Sequence, residues 1–151
     1  MKGLRAFTQQ YRWGFSAAGC VCCMLVILPN VLWMVWPPAN DPIGHNDAPW
    51  VWMDVVMRIA QCALVALLVF CVSRGYLRRW REPAVIMLVS YYAMWGLYYA
   101  GVTHPFVFVG LAAFPSVGFM CAAMWLRNRP ALWCAVVFGA LHISITAWNY
   151  I

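Results

Sequence analysis

From Trp13 to Trp36 the chain runs about 24 residues without a charged side chain, and four more long apolar runs follow it. A helix rises 1.5 Å per residue and bilayer hydrocarbon is ~30 Å thick, so about 20 such residues cross a membrane. The runs lie near residues 13–36, 50–73, 83–102, 105–126 and 130–150. Inside lipid, backbone N–H and C=O groups find no water and must bond within their own segment, which selects helices. The expected fold is therefore all-α: one integral membrane domain, residues 1–151, of five transmembrane helices. Composition agrees, at 9% charged residues where soluble domains carry about 25%. The connections PPANDPIGHNDAP, RGYLRRWRE, TH and NRP are too short for a further domain. The two shortest make the last three helices antiparallel neighbours.

Lysine and arginine set the direction. Lys2, Arg5 and Arg12 precede the first run, Arg74, Arg78, Arg79 and Arg81 separate the second from the third, and Arg127 and Arg129 separate the fourth from the fifth. The remaining connections have none, so the positive-inside rule gives a cytoplasmic N-terminus and an extracytoplasmic C-terminus. The formal charge of +6 thus belongs to membrane orientation, and the partner it implies is the lipid bilayer, not nucleic acid. A secretory signal would suit the basic start, but the first run is too long for an h-region. No lipid-attachment motif is evident. Most of the ten tryptophans fall at run ends, where an indole settles in the headgroup layer; Trp95 lies deeper.

Polar residues interrupt the apolar pattern at helical spacing. Asp54, Arg58 and Gln61 share one face of the second helix; His142, Thr146 and Asn149 share one face of the fifth; Tyr91, Trp95 and Tyr98 share one face of the third. Asn30 follows Pro29 in the first. Counted from the outer ends, Asn30, Arg58 and His142 all lie roughly 9–12 Å deep. A charged side chain near mid-membrane costs roughly 2.5–3.5 kcal/mol, so the Asp54–Arg58 face is expected to turn inward. Two readings follow. In one, Arg58, Asp54, Asn30, Gln61, Tyr91, Trp95, Tyr98 and His142 line an outward-facing pocket that binds, and transports or senses, a small amphiphilic or anionic molecule. In the other, the cluster only locks helix register, and the chain is a non-catalytic subunit of a homo-oligomer or of a complex with another membrane protein. Pro29 and Pro115 are expected to kink their helices and free a carbonyl each. The proline-rich loop with Asp41, His45 and Asp47 reads as a stiff cap over the bundle, with a weak cation site as the lesser alternative.

Seven cysteines fall inside or near the inner ends of the runs. They read as small buried residues, with neither a disulfide framework nor a metal-ligand spacing. No G-x-S-x-G, H-E-x-x-H or Walker A motif occurs, so the expectation is a non-enzyme without cofactor or metal.

Five runs, 151 residues and abundant tryptophan resemble the tryptophan-rich sensory proteins (the TspO/translocator family), which bind porphyrins and related rings. WPP at 36–38 matches in part. That family's W-x-P-P-x-W-x-F-x-x-V-W run is absent, WPPANDPIGHNDAPWVW standing in its place, and the N-in orientation differs from its bacterial members, so no site residue carries over. LPNVLWMVWPPANDP, residues 28–42, resembles a segment of small multi-pass bacterial membrane proteins with no assigned activity. It covers the first helix and following loop only, and implies the bacterial cytoplasmic (plasma) membrane.

Overall fold

The computed structural model describes residues 10–151; Lys2 and Arg5, used above for orientation, lie outside the described residues. The fold is all-α. Its helices are α1 (Ala17–Val35), α2 (Val51–Phe70), α3 (Arg81–Tyr99), α4 (Pro105–Trp125) and α5 (Arg129–Tyr150). Among the described residues, four of these are long and apolar enough to cross a membrane: α1, α2, α4 and α5. The remaining one of the five expected runs, α3, is less apolar than the other four. That helix opens with Arg81 and Glu82 and carries Tyr91, Tyr92, Tyr98 and Tyr99, and phenolic hydroxyls make it less apolar than the rest.

Helix starts follow local chemistry. Ser16 caps α1, its Oγ accepting from Gly19 N at 3.1 Å. Proline occupies the first turn of α3, α4 and α5, where a missing N–H removes no helical bond. Arg127 takes a left-handed φ of 52°, which lets the chain reverse between α4 and α5 within three residues.

Two helix ends differ from the expected runs. Tyr11–Trp13 is a strand, β1, paired antiparallel with β2 (Cys71–Ser73), Trp13 facing Cys71. The first run was expected to be helical from residue 13 and the second through residue 73. The physical reason is the end of α2, where the last four carbonyls have no helical donor. Gly14 N donates to Phe70 O at 3.0 Å and Ser16 N to Val69 O at 2.8 Å, so the extended chain before α1 satisfies groups that a longer helix would leave bare.

α4 is the central helix, 61% of its spanning window being buried. It packs against α3 and α5; α2 packs against α5, and α1 lies chiefly on α2. Arginines collect at one end, beside β1–β2 and the α4–α5 turn; the opposite end, with the α1–α2 loop, carries Asp41 and Asp47. Two clusters form the core. Leu64, Leu68, Phe119, Ala123, Ala135 and Phe138 anchor the arginine half. Tyr91, Trp95, Tyr98, Val107 and Phe108 anchor the acidic half. Gly19 permits the α1–α2 contact: a Cβ there would lie 1.9 Å from Leu68 O.

Candidate functional site

Pro29 has no N–H for the carbonyl four residues back, so Leu25 O is freed within α1. Tyr92 Oη donates to it at 2.8 Å. Asn30 Nδ2 donates to Val26 O at 2.9 Å and to Tyr91 Oη at 2.8 Å, and Tyr91 Oη itself lies 3.3 Å from Val26 O. The carbonyl expected to be freed by Pro29 is therefore present in α1, which continues as one helix through the proline, and neighbouring tyrosines of α3 answer it. In α4, Ser116 Oγ donates to Ala112 O at 2.7 Å next to Pro115.

The α1–α2 loop is bound across the acidic end. Asp41 Oδ1 accepts from Trp33 Nε1 at 2.9 Å and from the Tyr98 hydroxyl, joining α1 to α3. Asn46 Nδ2 donates to Thr146 Oγ1 at 3.0 Å, Asn149 Nδ2 donates to Asn46 Oδ1 at 2.8 Å and to Asp47 O at 2.9 Å, and Tyr150 Oη donates to Pro42 O at 2.8 Å. The stripe Thr146–Asn149 thus holds the loop, which caps the bundle. Trp33, expected as an interfacial anchor, serves as a clamp.

Beneath this cap is a cavity of about 80 Å³, whose lining includes Asn30, Asn46, Tyr91, Trp95, His142 and Thr146. Of the four helices expected to converge in the acidic half, α1, α3 and α5 line this cavity. Trp95 packs its ring 6.2 Å from Tyr91 and 5.8 Å from Tyr98. Its Nε1 is buried and has no partner of hydrogen-bonding geometry among the described residues. His142 stacks on Phe138 at 5.1 Å. The space suits one or two waters; ligand pockets run about 300–1,000 Å³.

α2 does not contribute its polar stripe to this cavity. Arg58 is 70% exposed in its side chain and Asp54 35%, with Arg58 Nε donating to Asp54 Oδ2 at 2.8 Å. Gln61 is exposed as well. The inward turn expected for Arg58, Asp54 and Gln61 is thus corrected. α2 carries a second stripe, Met53, Met57, Ala60, Leu64 and Leu68, buried or half-buried. It is offset from the polar stripe by one residue, or about 100°, and only one of the two can meet α5. Apolar contact prevails there. Side chains also lean toward their helix N-terminus, so Arg58 reaches back toward Asp54 and the acidic end, which lowers the cost that the inward argument relied on.

One polar residue of consequence was missed in the sequence. Asn128 is 1% exposed. Its Oδ1 accepts from Ala131 N at 3.1 Å as the cap of α5, while Nδ2 donates to Leu67 O at 2.8 Å and Cys71 O at 2.9 Å. The signal available was asparagine directly before Arg129-Pro130, a helix-start pattern. The cysteines are free thiols; Cys23, Cys71 and Cys121 are buried, and burial pushes the Cys71 thiol above its usual range, while Cys62 is exposed on α2. Among the described residues, no three of His, Cys, Asp and Glu converge as a metal site would need. No family model, curated protein or solved structure gave a significant match to this chain.

Proposed function

We propose that the chain is a five-span bacterial plasma membrane protein, N-terminus inside, acting as a non-catalytic accessory subunit that docks another membrane-embedded helix on the outer face of α2. The observation that carries this reading is the Asp54–Arg58 pair on the exposed side of that helix. Hydrocarbon offers such a pair no hydrogen bonds, and only Nε of Arg58 is engaged among the described residues. A partner helix presenting a carboxylate or amide to the free Nη groups would complete the site. Intramembrane hydrogen bonds of this kind average about 0.6 kcal/mol, so affinity would rest on packing and the polar pair would select the partner.

A photocrosslinking residue in place of Ile59, which is 64% exposed between the two charged positions and Gln61, reads this out in intact membranes. The expected result is one discrete protein adduct, lost when Asp54→Leu and Arg58→Leu are combined, with the chain's own thermal unfolding unchanged. Disulfide capture through exposed Cys62 identifies the partner as a second copy. Crosslinks to lipid alone, or an adduct indifferent to the double substitution, overturn the reading.

The second reading is the small-molecule pocket, favoured by the gathering of Asn30, Tyr91, Trp95 and His142 around one cavity. At its present size it would take only a small polar molecule until the Asp41–Tyr98 clamp opens. This reading expects a ligand-dependent rise in melting temperature that Asn30→Ala or His142→Ala abolishes and the Arg58 variant retains. No such rise across a panel of small polar and anionic compounds sets it aside.

A further inference from the structure

Between α1 and α3, floored by α4, a groove of about 380 Å³ runs along the arginine half of the molecule. Val21 and Leu25 form one wall, Val85 and Leu88 the other, and Gly118 and Ala122 the floor. Gly118 and Ala122 of the floor and Ala17, Ala18 and Ala84 near the helix starts are small, which leaves space open beside Phe119 and Trp125. Its far end lies where Tyr91 and Tyr92 bond α3 to Val26 O and Leu25 O of α1. From Ala17 to Val26 the α1 wall rises roughly 13–14 Å, close to the ~15 Å depth of one leaflet's hydrocarbon.

At the arginine end the groove meets a second cavity, of about 340 Å³. The two share Ala18, Arg81 and Trp125, and the second adds Tyr76 and Arg78. Neither Arg78 nor Arg81 has a side-chain hydrogen bond or ion pair among the described residues. Seven arginines gather at this end against the single carboxylate of Glu82. An apolar slot as deep as one leaflet, opening onto unpaired guanidinium groups, is complementary to an anionic amphiphile.

We propose that this groove binds a phospholipid of net negative charge, with one acyl chain between α1 and α3 and its phosphate on Arg78 and Arg81. The planar guanidinium matches phosphate oxygens two at a time, and the chain would cover apolar surface on Val21 and Val85, now 56% and 51% exposed. General attraction of arginines to anionic lipid needs only charge; the groove adds a stoichiometric site.

The test uses the full chain in phosphatidylcholine nanodiscs titrated with phosphatidylglycerol. Melting temperature is followed, and retained lipid is counted by native mass spectrometry. The expected result is one tightly held phosphatidylglycerol and a rise in melting temperature. Arg78→Gln with Arg81→Gln should cut retention at least tenfold. Val85→Trp fills the slot at an exposed position without altering charge, and should cut it equally. Four outcomes overturn the proposal: equal retention of phosphatidylcholine, full retention in the double arginine variant, full retention in Val85→Trp (charge attraction alone), or an equal stabilisation by inorganic phosphate (a free-anion site).

Discussion

Asn128 joins the start of α5 to the end of α2 through one buried amide, three hydrogen bonds using both of its ends. Replacing it with alanine removes a helix cap, worth about 1 kcal/mol, and leaves buried carbonyls short of a donor, at about 1–3 kcal/mol. Asn128→Ala is therefore expected to lower unfolding free energy by about 2–4 kcal/mol, measured by denaturant titration in detergent micelles. Asn128→Ser keeps a capping oxygen but is too short to reach Leu67 O and Cys71 O, and should fall between the two; equal stability of all three would refute the role. At this scale the sequence was partly legible. It singled out Asn30, Tyr91, Trp95 and His142 as members of one expected pocket, because their helices carry polar or aromatic groups in the same outer half. It misjudged Arg58, because a polar stripe and an apolar stripe lie side by side on α2, and a linear string does not say which one the neighbouring helix covers.

Among the elements, α3 is the one whose proposed crossing of the membrane would rest on its neighbours. It has 19 residues, enough for roughly 28 Å, yet its tyrosines hold it below the apolarity of the other four helices. Those same hydroxyls are occupied: Tyr91 and Tyr92 by carbonyls of α1, Tyr98 by Asp41, Tyr99 by Trp36 O at 3.1 Å. A helix whose polar groups are satisfied by adjacent helices is tolerated in lipid where an isolated one is not. The prediction is that epitope tags inserted at Gly75 and at Gly101 report opposite sides of the membrane, the first cytoplasmic, when probed in intact cells and after permeabilisation. Both tags on one side would mean that α3 lies along the bundle and that the span count is four. Sequence reading also ran the first two helices past their ends at Ala17 and Phe70. Apolarity continues there, but hydrogen-bond supply changes, and the β1–β2 pairing that answers the α2 carbonyls joins residues some sixty positions apart.

For the molecule as a whole, its two ends differ in kind. The acidic end is closed, its loop bound by α1, α3 and α5 through Asp41, Asn46 and Pro42 O. The arginine end is open between α1 and α3, with a groove and with the guanidinium groups of Arg78 and Arg81 without a partner among the described residues. Anionic lipid at the arginine end and a protein partner at α2 would occupy separate surfaces, so their tests are independent. The sequence by itself determined the all-α class, the long apolar runs, four of which are helices of membrane length and apolarity among the described residues, and the segregation of arginine to one end. Each of these is a property of runs and counts, and hydrophobic burial and backbone hydrogen bonding act on runs whatever their neighbours. Only the tertiary structure decided which face of α2 is covered, how small the polar cavity is, what Asn128 holds, and where a groove remains. Those depend on helix rotation, and rotation is set by packing between side chains far apart in the chain.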